Sequence, residues 1–151
     1  MRKLVLLLVA VLAGACRTAP EPTPTPGARF GAEAPRAAVE AFLGAIRAED
    51  LQAISLVWGN ERGPLVNDGS VSREEIEQRE LLMICFFRHD QAQVLNQVQT
   101  GEPRYTVFRV ELKRQNETRT PTISTIQGPA GRWYVVDADI ATVRDWCARG
   151  G

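Results

Sequence analysis

The chain has 151 residues, with 18 basic and 18 acidic side chains, one histidine and three cysteines, which is enough for one domain around a single core. Its basic residues are scattered, and all but Lys3 and Lys113 are arginine. No nucleic acid partner is expected, because that binding needs cations clustered against phosphates.

Residues 1–15 read as a secretory leader, with Arg2 and Lys3 followed by an apolar run from Leu4 to Val11 and then small residues. The run is too short to span a bilayer. Ala13-Gly14-Ala15-Cys16 resembles a bacterial lipoprotein lipobox, with Leu12 one residue ahead of the usual leucine position. The resemblance implies lipidation of Cys16, palmitate included, and a lipid anchor in the cell envelope. Arg17 is not an acidic retention signal, so the outer membrane, facing the periplasm, is expected in a diderm. The other reading is an ordinary cleaved leader with an incidental cysteine. Loss of Arg2 and Lys3 leaves 16 basic against 18 acidic residues. Residues 16–33 form a tether: from Thr18 to Gly27 proline alternates with small or charged residues, a composition that extends at ~3.1 Å per residue.

Residues 34–151 form the domain. Val39, Phe42, Leu43 and Ile46 recur at helical spacing behind Pro35, which suits a first helical turn. Asp50 caps a short second helix, Leu51 to Trp58, and the glycine- and proline-rich stretch 59–64 is a loop. Ser72 and Glu75 form a capping box for a third helix to about Arg88, with Ile76, Leu81, Ile84, Cys85 and Phe87 among its apolar positions.

After Asp90 the period becomes alternating. Val94, Asn96 and Val98 mark one strand; Thr106, Phe108, Val110 and Leu112 share one face of the next; a third covers about Thr118 to Gln127, interrupted at Pro121; and the last runs from Trp133 to Ala138. Asp139 caps a short terminal helix. The pattern predicts an α+β domain in which three N-terminal helices pack on a curved, antiparallel, four-stranded meander.

With Cys16 lipidated, Cys85 and Cys147 form an even pair in an oxidising compartment. A disulfide would staple the last helix onto the third; the other reading is two separately buried thiols.

Residues 38–58, Ala-Val-Glu-Ala-Phe-Leu through Ser-Leu-Val-Trp, resemble the first two helices of nuclear transport factor 2-like domains, and Gly131-Arg-Trp-Tyr-Val-Val-Asp137 resembles their last strand. The stretches 58–64 and 79–90 resemble envelope lipoproteins of the same superfamily. The resemblance implies a cone whose interior is the default ligand site, on a scaffold shared by isomerases, dehydratases, cyclases and non-catalytic binding proteins.

For proton transfer in such a cone the candidate bases are His89, with Asp90 beside it, and Asp137. Each also has a structural reading: His89, with Arg88, would complement the negative end of a helix dipole, and Asp137 would help to start the terminal helix. Trp58, Tyr105, Phe108 and Trp133 are the pocket-lining candidates unless they are core. There is no glycine-rich phosphate loop or Gly-x-Ser-x-Gly elbow, and one histidine supplies no His-based metal site, so neither metal nor cofactor is expected.

The expected function is that of a membrane-anchored envelope lipoprotein whose domain binds an envelope protein or a small apolar ligand without catalysis. The alternative is a SnoaL-like or ketosteroid-isomerase-like lyase or isomerase acting on a small apolar substrate. Ionisable side chains converging in an open cavity favour the enzyme, and an interior filled by Trp and Phe favours the binding module.

Overall fold

Helix α1, Pro35–Ala48, forms as the apolar spacing predicts and buries Val39, Phe42, Leu43 and Ile46. The computed structural model to which it belongs describes residues 30–98 and 100–148. Cys16, the leader and most of the tether lie outside the described residues. Glu49, in the left-handed region at φ 55°, closes α1 by donating its N–H to Ala45 and Ile46 carbonyls. The chain then turns directly into α2, Leu51–Val57, whose first turn is held by the Asp50 carboxylate accepting the Ala53 N–H at 3.0 Å.

The stretch expected as a loop contains a small antiparallel pair, β1 (Gly59–Asn60) and β2 (Gly63–Pro64). Helix α3, Arg73–Phe87, follows. Half of its expected capping box is present: Ser72 Oγ accepts the Glu75 N–H at 3.2 Å, but the Glu75 carboxylate pairs with Arg79 one turn on. Leu81, expected in the core, is 55% exposed; the buried stripe is Ile76, Glu80, Ile84 and Phe87.

The main sheet has five strands rather than four: β3 (Gln91–Val98), β4 (Tyr105–Arg114), β5 (Glu117–Arg119), β6 (Thr122–Gln127) and β7 (Trp133–Ala138). All neighbours are antiparallel in the order β3-β4-β6-β7, with β5 pairing the end of β4. Pro121, expected to interrupt the third strand, divides β5 from β6, while its carbonyl still accepts the Val110 N–H. On β4 the predicted face, Thr106, Phe108, Val110 and Leu112, is buried. Bulges between Val94 and Gln97 and between Ser124 and Thr125 shift the register on both sides of the sheet.

Helix α1 packs across β3, β4, β6 and β7, and α2 and α3 complete the helical layer. Together with the sheet they enclose the core, so the α+β class and the helices-on-sheet arrangement are as predicted. Gly31 and Ala32, placed in the tether by composition, belong to the fold: Gly31 donates to Leu56 O and Ala32 exchanges hydrogen bonds with Trp133.

The last described helix, α4 (Arg144–Ala148), follows directly on a 3-10 turn at Ala141–Val143, where the Asp139 carboxylate accepts from the Thr142 N–H and hydroxyl. Trp146 is buried, with its indole N–H donating to Glu117 at 2.9 Å, and Arg114 stacks over its ring. The Cys85–Cys147 disulfide ties α4 to α3, with Cα atoms 4.9 Å apart.

Candidate functional site

The space between helices and sheet is filled. Phe42, Trp58, Phe87, Phe108 and Trp146 are all buried and belong to one apolar cluster. Trp58 and Phe108 are therefore core residues rather than a pocket lining. Trp133 is half-buried, packs against that cluster and pairs with Ala32. Tyr105 lies on the opposite face of β4 and borders a shallow depression with Gln97, Thr100 and Glu102.

A groove of about 350 Å³ runs instead between α1 and β3, lined by Arg36, Glu40, Leu43, Gly44 and Arg47 from the helix and by His89, Ala92, Gln93 and Val94 opposite. Of these, only His89 is marked as a site candidate by sequence reasoning. The signal was available, since positions 36, 40, 43 or 44, and 47 recur every three or four residues along the flank of the apolar stripe. The Arg36 Nε donates to Glu40 at 2.8 Å, and its Nη2 donates to Val94 O at 2.9 Å, tying helix to strand.

His89 lies two residues beyond α3 and is 5% exposed. Its Nδ1 is 2.8 Å from Phe87 O; a carbonyl can only accept, so Nδ1 carries the proton and Nε2 the lone pair. Burial depresses the imidazole pKa, and the Arg47 charge acts in the same direction. The expected charge complement to the helix dipole is therefore corrected to a neutral ring whose N–H caps the last helical carbonyl. Arg88 does not share that task, because it pairs with Glu49. Asp90 does not orient His89 either: its carboxylate accepts the Gln115 N–H at 2.7 Å.

Asp137 is exposed on β7, opposite Ser124. It neither faces the interior nor holds the turn that leads into the terminal helix, where Asp139 accepts from Thr142. His89 and Asp137 are on separate elements and share no hydrogen bond among the described residues. No cluster of three His, Cys, Asp or Glu side chains able to hold a metal occurs among the described residues.

One buried acid escaped sequence reasoning altogether. Glu80 is fully buried in α3, hydrogen-bonded through Oε1 to the Ser55 hydroxyl of α2. Burial pushes its carboxyl above the usual range, against the smaller opposing effect of Ser55.

No protein family model matches the chain, and no curated protein matches it. Among solved structures, the chain is similar to a protein described as a calcium/calmodulin-dependent protein kinase type II association domain from Thiobacillus denitrificans, with 19% identity over 72% of this chain and 93% of that one and a TM-score of 0.49. It is also similar to an LEH-like epoxide hydrolase of M. tuberculosis, with 19% identity over 78% of this chain and 91% of that one and a TM-score of 0.34. Likenesses at this level transfer no activity, and the fold rests on the element order and register described above.

Proposed function

We propose that the chain is a lipid-anchored lipoprotein of the bacterial cell envelope, facing the periplasm where an outer membrane exists, whose nuclear transport factor 2-like domain is a binding module without catalysis. The filled interior carries this reading: proton transfer next to a carbonyl needs an open cavity with converging ionisable groups, and Phe42, Trp58, Phe87, Phe108 and Trp146 occupy that space. The leader and Ala13-Gly14-Ala15-Cys16 support the anchor, and the Cys85–Cys147 bridge suits an oxidising compartment. The lyase or isomerase alternative draws on one observation, the neutral His89 ring lining the groove.

Cell fractionation tests the anchor. Cys16→Ser should move the protein out of the membrane fraction and change its electrophoretic mobility, because the acyl chains supply the membrane affinity at ~0.8 kcal/mol per buried methylene; unchanged fractionation and mobility overturn it. Rescue of a deletion strain tests the absence of catalysis. His89→Gln keeps a donor for Phe87 O and a polar group toward the groove but accepts no proton near neutral pH, so it should rescue; loss of rescue by the folded variant favours the enzyme.

A further inference from the structure

Strand β3 is an open edge. The outer side of β7 is bridged by Ala32 and by Trp58, whereas among the described residues β3 pairs only with β4. It is eight residues long and contains neither a charged residue nor a proline, the devices by which exposed edges are ordinarily blunted. Val110 of β4 donates its N–H to Pro121 O, away from β3. Its cross-strand partner Val94 therefore turns its own N–H and C=O to the open side, and by the two-residue period so does Ala92. Of these groups Val94 O is taken by Arg36. The N–H groups of Ala92 and Val94 remain as donors along one wall of the groove whose other wall is α1.

The two walls run in opposite directions. Arg36 meets Val94 near one end, and Arg47 lies by His89, just before β3, at the other. From Arg36 to Arg47 the helix rises about 16 Å at ~1.5 Å per residue, and from Val94 back to His89 extended chain covers about the same at ~3.3 Å per residue. An extended segment of about five residues has that length. The charges along it are uneven: Arg36 is paired with Glu40, while Arg47 forms no ion pair among the described residues. A strand added antiparallel to β3 has its C-terminus opposite the start of β3, beside Arg47. A parallel one brings its ammonium end to the same cation.

We propose that this groove binds the extended C-terminal segment of a partner protein, added antiparallel to the open edge of β3 with its terminal carboxylate on Arg47. The inference rests on the binding-module reading and names the class of partner. A second copy of the chain fits less well, since its β3 offers Arg47 no carboxylate.

The test uses the lipidated full chain in detergent, panned against random hexapeptides displayed with free carboxyl termini. The enriched peptide, resynthesised with an N-terminal fluorophore, should bind about tenfold more weakly when amidated at its C-terminus, and about tenfold more weakly to Arg47→Gln, the loss of one charge-assisted contact. Methylating alternate peptide nitrogens should abolish binding, because it removes the peptide donor to Ala92 O, bars close approach to the strand edge and leaves the protein untouched. Arg47 is exposed, so the variant should keep the wild-type melting temperature. Three results overturn the proposal: no enriched peptide, binding indifferent to amidation and to Arg47→Gln, or a dimer in which the Ala92 and Val94 amides are protected from exchange without peptide. Each leaves the binding-module reading standing, because that reading rests on the filled interior and not on the occupant of the groove.

Discussion

The hydroxyl of Ser55 on α2 and Oε1 of Glu80 on α3 are 2.5 Å apart, while Oε2 of the same buried carboxyl has no partner among the described residues. A carboxylate in that position loses its hydration and regains one hydrogen bond, so the protonated form is favoured. With the folded pKa above the unfolded value of about 4.3, the stabilising contribution is complete below that value and is lost as pH rises through the folded pKa. Glu80→Gln keeps an acceptor for Ser55 and removes the charge. It should raise stability near neutral pH by about 1 kcal/mol and flatten the decline between weakly acidic and neutral pH. Thermal melts of both proteins across that range check it; a variant less stable than wild type at neutral pH would refute the buried-charge account.

Glu80 also shows where the sequence pattern misleads. On α3 the buried positions 76, 80, 84 and 87 keep helical spacing, but one of them is a glutamate, and the neighbouring leucines Leu81 and Leu82 face solvent. A hydrophobicity count rotates the stripe toward Leu81. The α1 stripe, the Asp50 cap and the alternation on β4 were legible because in each the apolar or capping residue is also the one the fold uses. The start of β3 was not, because Gln91, Ala92 and Gln93 are exposed on both faces and, among the described residues, are held by backbone pairing with β4. The groove was missed for the same reason: half of it is backbone, and Arg36 and Arg47 look like an ordinary solvated helix flank.

The Cys85–Cys147 bridge closes a separation of 62 residues. In the chain-entropy account such a loop contributes about 4 kcal/mol, so reduction should lower the melting temperature markedly and loosen α4 first. Mass spectrometry of an unreduced digest should recover the linked peptides. Two thiols that alkylate freely in the folded, unreduced protein would exclude the bridge.

His89 provides a pH dependence of opposite sign to Glu80. Its folded pKa is depressed, so its contribution is present above the unfolded value of about 6.5 and is lost as pH falls through the folded pKa. Burial opposes protonation and is the largest influence; the hydrogen bond to Phe87 O and the Asp90 charge favour it, and Arg47 opposes it. His89→Gln should cost no more than about 1 kcal/mol at neutral pH, the worth of the hydrogen bond to Phe87 O. It should also reduce the acid-side loss below that range. An unchanged acid limb in a pH series of melts would show that the imidazole is not titrating in the folded state as described.

Glycine at 59 and glycine at 44 should respond to the same substitution with opposite signs. A Cβ on Gly59 would lie 2.4 Å from Gly63 O and 2.8 Å from Cδ1 of Tyr134, while one on Gly44 meets nothing within 4 Å. The first contact is backbone, part of the β1–β2 pair, and Tyr134 is itself buried, with Gly31 and Gly128 equally close to its ring. Neither neighbour can withdraw without moving β1 off β7. Gly59→Ala should therefore cost about 3 kcal/mol, at the upper end of overpacking penalties. Gly44 is in the interior of α1, where alanine lowers the entropy of the unfolded chain and improves helix propensity, so Gly44→Ala should stabilise by roughly 0.5 to 1 kcal/mol. For a domain of this size each kcal/mol moves the melting temperature by about 4 °C, which puts both shifts within reach of calorimetry. A neutral Gly59→Ala would mean that β1 and β2 do not close over Tyr134 as the structure has them.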